Sequence, residues 1–239
     1  MILAANFKTN LTRLQTGEYL GELESLLETL PSDLHVAVFP ATSSLIAHKG
    51  AVAVGAQNAY PAVSGAFTGE IGLVHLEEFG IEKILIGHSE RRHILHETQV
   101  DVAKKFDFFM KEGFEIFYCI GEPLHVKEKG VEATLEYLQR QLEGIDLEYP
   151  KLVVAYEPVW AIGSGLTPTL EEIEAVHAAL KQNIPAPILY GGSVKVSNVR
   201  EILELSCVDG VLVGSGALQV ENFFTMIQTA KEIITKDKA

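Results

Sequence analysis

Short apolar, β-type runs recur along this chain at Ile2 to Phe7, Val36 to Phe39, Val52 to Ala56, Ile84 to Gly87, Phe114 to Cys119, Leu152 to Tyr156, Ile188 to Tyr190 and Val208 to Val213. Unbroken apolar runs rich in β-branched residues belong to strands buried on both faces, as in a parallel sheet. Eight runs in 239 residues leave about 30 residues per unit, room for a strand, a helix and two short loops. The stretches between carry one-sided stripes: Leu20, Leu23, Leu27 and Leu30; Val131, Leu135, Leu138 and Leu142; Phe223, Ile227, Ala230 and Ile234. Each predicted helix therefore has one face to pack. An open doubly wound sheet is the architectural alternative, but it gives no reason for polar motifs to follow most of the strands, as they do here. The expectation is an α/β chain folded as one (β/α)8 barrel domain, residues 1–239, because no linker or composition break marks a boundary.

At 47% hydrophobic and 21% charged residues the chain has the composition of a soluble protein with a large core. No apolar stretch approaches the ~18 residues of a membrane span, and Met1 leads straight into a strand-like segment without a signal-peptide pattern. A cytoplasmic protein is expected. The formal net charge of -13 argues against nucleic acid or an anionic membrane as partner. It does not argue against a small anion, because local donors in a pocket outweigh distant, screened charge. Cys119 and Cys207 lie far apart in apolar surroundings and read as reduced, packed thiols.

The sixth run delivers a carboxylate and then turns into a loop: Leu152 to Tyr156, Glu157, then Pro158, Val159, Trp160, Ala161, Ile162, Gly163, Ser164 and Gly165. Glu157 falls at a strand's carboxyl end, where α/β proteins place their chemistry. Pro158 stops the strand, and the loop after it is too apolar to rest in water, which suits a lid with a glycine hinge at Gly163 and Gly165. The competing reading is a solvated Glu and a permanently packed loop.

Other strand ends carry motifs of their own. The first gives Asn6-Phe7-Lys8, and Lys8 there either reaches the barrel mouth as a positive charge or is an ordinary loop lysine. After the third strand a glycine-rich excursion, Gly65 to Ile71 with Phe67 and Thr68 at its centre, reads either as a docking finger or as a surface loop. The fourth ends Gly87-His88-Ser89-Glu90-Arg91-Arg92. Ser89 and Glu90 look like the capped start of a short helix, whose positive end favours a neutral imidazole at His88 able to donate to a substrate oxygen. His93, His96 and Glu97 follow at helical spacing but match no zinc pattern, so no metal site is expected. The last two strands end in Tyr190-Gly191-Gly192-Ser193-Val194 and Val213-Gly214-Ser215-Gly216, each read as a turn opening a helix and aiming amide N–H groups at one spot, as phosphate-binding backbone does.

Taken together, Asn6-Phe7-Lys8, Gly65 to Glu70, Gly87 to Arg92, Cys119 to Glu122, Tyr156 to Gly165, Tyr190 to Val194 and Leu212 to Gly214 resemble the triosephosphate isomerase family, in order and over the whole chain. The resemblance implies a TIM barrel that interconverts dihydroxyacetone phosphate and D-glyceraldehyde 3-phosphate in glycolysis and gluconeogenesis, as a homodimer without metal or organic cofactor. Carried over by residue, Glu157 resembles the base and His88 the neutral electrophile of that family, a division of labour for which it is a standing example. Lys8 resembles the electrostatic stabiliser, Asn6 a donor to substrate, and Gly163, Ser193, Gly214 and Ser215 the phosphate-binding amides, while Thr68 resembles the residue that reaches the neighbouring subunit. Phe7, Gly72, Ser164 and Ser215 depart from the family's usual Trp, Ser, Thr and Gly; the Ser215 Cβ is expected to alter phosphate affinity and spare activity. The alternatives are another sugar-phosphate barrel enzyme, or a barrel that binds phosphorylated ligands without turnover.

Overall fold

The computed structural model of the chain describes residues 1–27, 31–162 and 166–237. Leu30, Gly163, Ser164 and Gly165 lie outside them. Eight strands form one parallel sheet: β1 (Ile2–Asn6), β2 (His35–Phe39), β3 (Val52–Val54), β4 (Lys83–Ile86), β5 (Glu115–Ile120), β6 (Leu152–Tyr156), β7 (Ile188–Tyr190) and β8 (Gly210–Val213). Their order is β3-β2-β1-β8-β7-β6-β5-β4, so the sheet curls until β3 and β4 face each other. That seam is closed by one parallel bridge, Ala56 to Ile84, in which Ala56 N donates to the Lys83 carbonyl (2.9 Å) and Leu85 N to the Ala56 carbonyl (2.8 Å). All eight expected strands are present, within a residue or two of their expected ends.

Strand alternation divides the buried residues into two layers. Inside the barrel pack Ala4, Phe39, Leu85, Phe117, Cys119 and Leu212, with Phe39 and Phe117 edge to face at 5.0 Å. Cys119 is wholly buried there and burial pushes its thiol well up, in keeping with a packing role. Outside, residues such as Leu3, Val38, Ile86, Tyr118 and Val154 meet the helices.

The helical layer consists of α1 (Arg13–Leu26), α2 (Leu73–Glu78), α3 (Ser89–His93), α4 (Gln99–Lys111), α5 (Leu124–Lys127), α6 (Val131–Gln141), α7 (Leu170–Lys181), α8 (Val199–Leu203) and α9 (Val220–Asp237). Thr12, Thr98 and Thr169 close capping boxes on α1, α4 and α7, satisfying amides that a helix start leaves unpaired. The expected stripes are buried on α9 and at Leu20, Leu23 and Leu138, while Leu27, Leu135 and Leu142 pack at the core's margin. Val131 departs: as the first residue of α6 it is 49% exposed. The strand–helix alternation is also uneven. Between β2 and β3 the described residues form only a 3-10 turn at Thr42–Ser44, a stretch bounded by Pro40 and Gly50 with no helical stripe.

The excursion after β3 is folded on itself. Tyr60 N donates to the Ile71 carbonyl (2.8 Å) and Leu73 N to that of Ala62 (3.0 Å), and Phe67, 39% exposed, lies against Tyr60 at 4.1 Å. Gly72 has a local reason: a Cβ there would stand 2.6 Å from the Ala62 carbonyl oxygen.

Candidate active site

The carboxyl ends of β1, β4, β6, β7 and β8 open on a cavity of about 390 Å³ lined by Asn6, Lys8, His88, Glu157, Ser193 and Ser215 among others. Residues from five separate strand ends thus converge on one space. β6 runs straight into Glu157, whose N donates to the Ile120 carbonyl (2.7 Å), while the Tyr156 carbonyl accepts from Gly191 N (2.7 Å). This clamp between neighbouring strands is so close that a Cβ on Gly121 would fall 1.8 Å from the Glu157 carbonyl oxygen. The Glu157 side chain is 2% exposed, which rules out the solvated alternative. Its Oε2 accepts from Ser89 N (3.0 Å) and its Oε1 lies 3.1 Å from His88 Nε2. Burial alone would raise its pKa, but His88, the Ser89 amide and Lys8 outweigh burial and hold it below the ordinary value. The group is a carboxylate.

His88 follows β4 through Gly87, whose φ of 75° favours glycine and whose Cβ would press on Arg92 at 2.7 Å. The helix start differs from expectation. The N-cap of α3 is His88 itself, not Ser89, with Glu90 N donating to His88 Nδ1 (3.2 Å). That amide fixes a lone pair on Nδ1, so the imidazole proton sits on Nε2, facing Glu157 and the cavity. Burial disfavours a charged ring, but the Glu157 and Glu90 carboxylates overcome it and draw the His88 pKa up while Glu157 remains alongside. A second proton would have to enter on Nδ1, against the Glu90 N–H.

At the end of β1, Asn6 is 4% exposed and its Oδ1 accepts from Lys8 N (2.9 Å). Lys8 takes the left-handed conformation, φ 51°, a strained choice for a side chain of this size. Gln57 Nε2 holds it there by donating to the Lys8 carbonyl (2.7 Å) and to that of Phe39 (2.9 Å). The reward is position: Lys8 lines the cavity and its Nζ lies 2.6 Å from Glu90 Oε1. Lys8 is not an ordinary loop lysine. Phe7, fully buried, packs edge to face on Tyr19 at 4.8 Å.

The two glycine turns face the cavity, but neither opens an α-helix directly. After β7 the chain runs through 191–198 before α8 begins at Val199, and after β8 a 3-10 turn, Ser215–Ala217, precedes α9. Gly192 is needed because a Cβ would meet the Tyr190 hydroxyl at 2.2 Å. At Gly214 a Cβ would find only the Lys8 side chain, at 3.6 Å, so the absent side chain leaves the cavity itself open. Ser215 is exposed at the rim. Of the expected lid, Val159–Ala161 form a 3-10 turn after Pro158 and Ile162 lines the cavity. Trp160 does not; its Nε1 donates to Glu122 Oε1 (2.8 Å). Gly163, Ser164 and Gly165, expected as lid and hinge, lie outside the described residues.

Three contributors escape the sequence reading. In sequence Glu90 shows only as a helix-start acid, yet it pairs with Lys8 and supports His88. Asn10 and Lys195 also line the cavity. Lys195, two residues past Ser193, is within reach of the same strand-end reasoning. The histidine-rich stretch goes elsewhere: Glu97 accepts from Arg91 Nε (2.5 Å) and from Lys105 Nζ, and among the described residues no three His, Cys, Asp or Glu side chains converge as a metal site would require. Nor is any described helix long and apolar enough to cross a membrane.

Fold and site define a parallel-barrel enzyme whose carboxylate and imidazole share a small cavity rimmed by backbone turns. The family model described as triosephosphate isomerase matches residues 1–230. Proteins named triosephosphate isomerase are 58% identical in Sulfurimonas denitrificans (100% of this chain, 99% of the relative) and 56% identical in a Sulfurovum species (95% and 99%). One from Helicobacter pylori is 49% identical (95% and 97%). The chain belongs to the triosephosphate isomerase family.

Proposed function

We propose that this chain interconverts dihydroxyacetone phosphate and D-glyceraldehyde 3-phosphate, an aldose–ketose isomerisation that serves glycolysis and gluconeogenesis. The observation that carries the proposal is the buried Glu157 carboxylate 3.1 Å from an imidazole whose proton is on the cavity-facing Nε2. Membership of a family named for the reaction supports it.

In this reading substrate takes the place of Glu157 on His88. The freed carboxylate removes a proton from the hydroxymethyl carbon of dihydroxyacetone phosphate; the C–H electrons form the carbon–carbon double bond of an enediolate, and the carbonyl oxygen gains the charge. His88 Nε2–H donates to that oxygen and passes protons between the two enediolate oxygens. Glu157 then returns its proton to the neighbouring carbon. Once the Glu157 charge leaves Nε2, burial, the Lys8 charge and the Glu90 amide favour the neutral ring against the remaining pull of the Glu90 carboxylate, so His88 acts as a neutral electrophile. Lys8 supplies positive charge and Asn6 a donor, and the loss of one such donor typically costs about 10²–10³-fold in rate. The amides of Ser193, Gly214 and Ser215 hold the phosphate, joined by Gly163. A lid of residues 158–165 excludes water and keeps the enediolate from shedding phosphate. No metal or organic cofactor enters.

We further propose that residues 1–239 act as one domain, in the cytoplasm, as a homodimer in which Phe67 and Thr68 reach the neighbouring subunit. The exposed, internally braced loop that carries them supports this. The test is a coupled isomerase assay after exhaustive dialysis against chelator, with wild type and Glu157→Asp. Withdrawing the carboxylate by one methylene is expected to lower kcat by ~10²-fold or more while substrate still binds. Near-normal turnover in that variant ends the assignment of Glu157 as base, and an inactive wild type ends the isomerase reading.

A further inference from the structure

Trp160, the chain's single tryptophan, borders a second cavity that catalysis leaves unused. It encloses about 310 Å³ and shares no lining residue with the catalytic cavity. Its walls come from the ends of β5 and β6, from α5 and α6, and from α7, with Val131, Ile173 and Val176 supplying an apolar side. Three features of this space point to a ligand. Glu122 is 1% exposed; its Oε1 accepts from the Tyr156 hydroxyl (3.1 Å) and from Trp160 Nε1, but its buried Oε2 takes no hydrogen bond from another residue. A buried acceptor left so is destabilising unless something occupies it. The charges around the cavity are Glu122, Glu128 and Glu172 against Lys127, a balance that favours cations. A cation is already seated there: Lys127 Nζ lies 4.7 Å from the Trp160 ring centre and 3.0 Å from Glu172.

We propose that this cavity binds a small planar organic cation, an amidinium or guanidinium, with its flat face on the Trp160 indole and its N–H groups on Glu122 Oε2. A planar fork of donors matches a carboxyl oxygen that can still accept, and an aromatic face attracts a cation within ~6 Å of its centre. The ligand takes over the place of the Lys127 ammonium. Burial raises the Glu122 pKa against Trp160, the residue's own backbone N–H, the Tyr156 hydroxyl and the Lys127 charge; the cation pairs with the carboxylate form, so affinity rises with pH through that titration. Trp160 belongs to the segment that follows Glu157, so an occupied cavity pins the start of the lid. The effect on turnover rests on the isomerase reading; binding does not.

The emission of Trp160 reports binding directly in the full chain. Benzamidine is expected to change it saturably, while the uncharged isostere benzamide does not. Glu122→Gln removes the charge with little change of shape and is expected to weaken benzamidine by ~10-fold. Lys127→Met vacates the seat and is expected to tighten benzamidine by ~3-fold. Glu157→Gln is expected to titrate like wild type. Benzamidine lowers kcat more than it raises KM if the isomerase reading holds; saturable emission changes in a chain without isomerase activity sink that reading and leave the site standing. The site is overturned by equal responses to benzamidine and benzamide, by loss of the response in Glu157→Gln, or by unchanged affinity in a folded Glu122→Gln. Should Glu122→Gln not fold, unchanged or weaker affinity in Lys127→Met overturns it.

Discussion

Glu24, on the last turn of α1, reaches across to the start of β3, where Oε1 accepts from Val52 N (2.9 Å) and meets His48 Nε2 (3.0 Å), while Oε2 accepts from Ala51 N (3.2 Å). One carboxylate thereby ties a helix to the entry of the strand that forms one side of the barrel seam. Burial opposes its charge, but His48 and the two amides outweigh burial and hold the pKa below the ordinary value. A depressed carboxylate contributes stability above its unfolded pKa of about 4.3, and that contribution is lost as pH falls through the lower folded value. Glu24→Gln is expected to cost about 1 kcal/mol at neutral pH, lowering Tm by roughly 2–4 °C in a chain of this length. Thermal melts in a pH series should show the two proteins converging below about pH 4. Nothing in the sequence around Glu24 announces this, because its partners lie some two dozen residues downstream and meet it only once the sheet has curled. Glu157, His88, Asn6 and Lys8 were legible for the opposite reason. Each ends or directly follows an apolar run, so the strand's direction alone places it at the mouth. The Glu90 contact with Lys8 belongs with Glu24: its residue was visible and its partner was not.

Among the elements, α7 carries a histidine on its buried face. His177 is fully buried, edge to face with Tyr156 at 5.6 Å and beside Tyr190 at 6.2 Å, and its nearest polar group is the Cys207 backbone, which does not reach either ring nitrogen in good hydrogen-bond geometry. Burial pushes its pKa down to about 4, with the Cys207 backbone and Asp209 pulling only weakly the other way. The unfolded chain, with an ordinary histidine near 6.5, binds the proton that the folded chain refuses between those values, so stability falls as pH drops from about 6.5 to about 4. The penalty approaches 3 kcal/mol at the acid end, since every tenfold loss of proton affinity on folding is worth about 1.4 kcal/mol. His177→Phe fills the same space with a ring that does not titrate, and urea unfolding at pH 7 and pH 4.5 should show it losing less stability than wild type. The helical periods of α1, α6 and α9 were readable in the sequence, because each must bury a stripe. The unevenness between β2 and β3 and the delay of α8 after β7 were not. Those stretches are shaped by backbone turns at Pro40, Gly191 and Gly192, whose conformations depend on neighbours such as the Tyr190 hydroxyl.

Over the whole molecule, a net charge of -13 surrounds a cavity proposed to take a phosphorylated substrate, so the long-range field repels what the site must capture. Local cations have to reverse that at the mouth. Lys8 is partly neutralised by Glu90 at 2.6 Å, whereas Lys195, exposed on the cavity rim, has no ion pair among the described residues. Lys195 is thus placed to attract the anion before contact rather than to act on it afterwards. Steering of this kind is a rate of encounter and is screened by salt, with a Debye length near 30 Å at 0.01 M and near 3 Å at 1 M. Lys195→Met is therefore expected to lower kcat/KM by about 3-fold at low ionic strength, through KM with kcat unchanged, and by a vanishing factor near 1 M salt. Steady-state kinetics across a salt series distinguish this from a direct role. A fall in kcat that persists at high salt would mean that Lys195 holds the reacting molecule, and the burden of drawing substrate through a repulsive field would pass to Lys8 and the backbone amides alone.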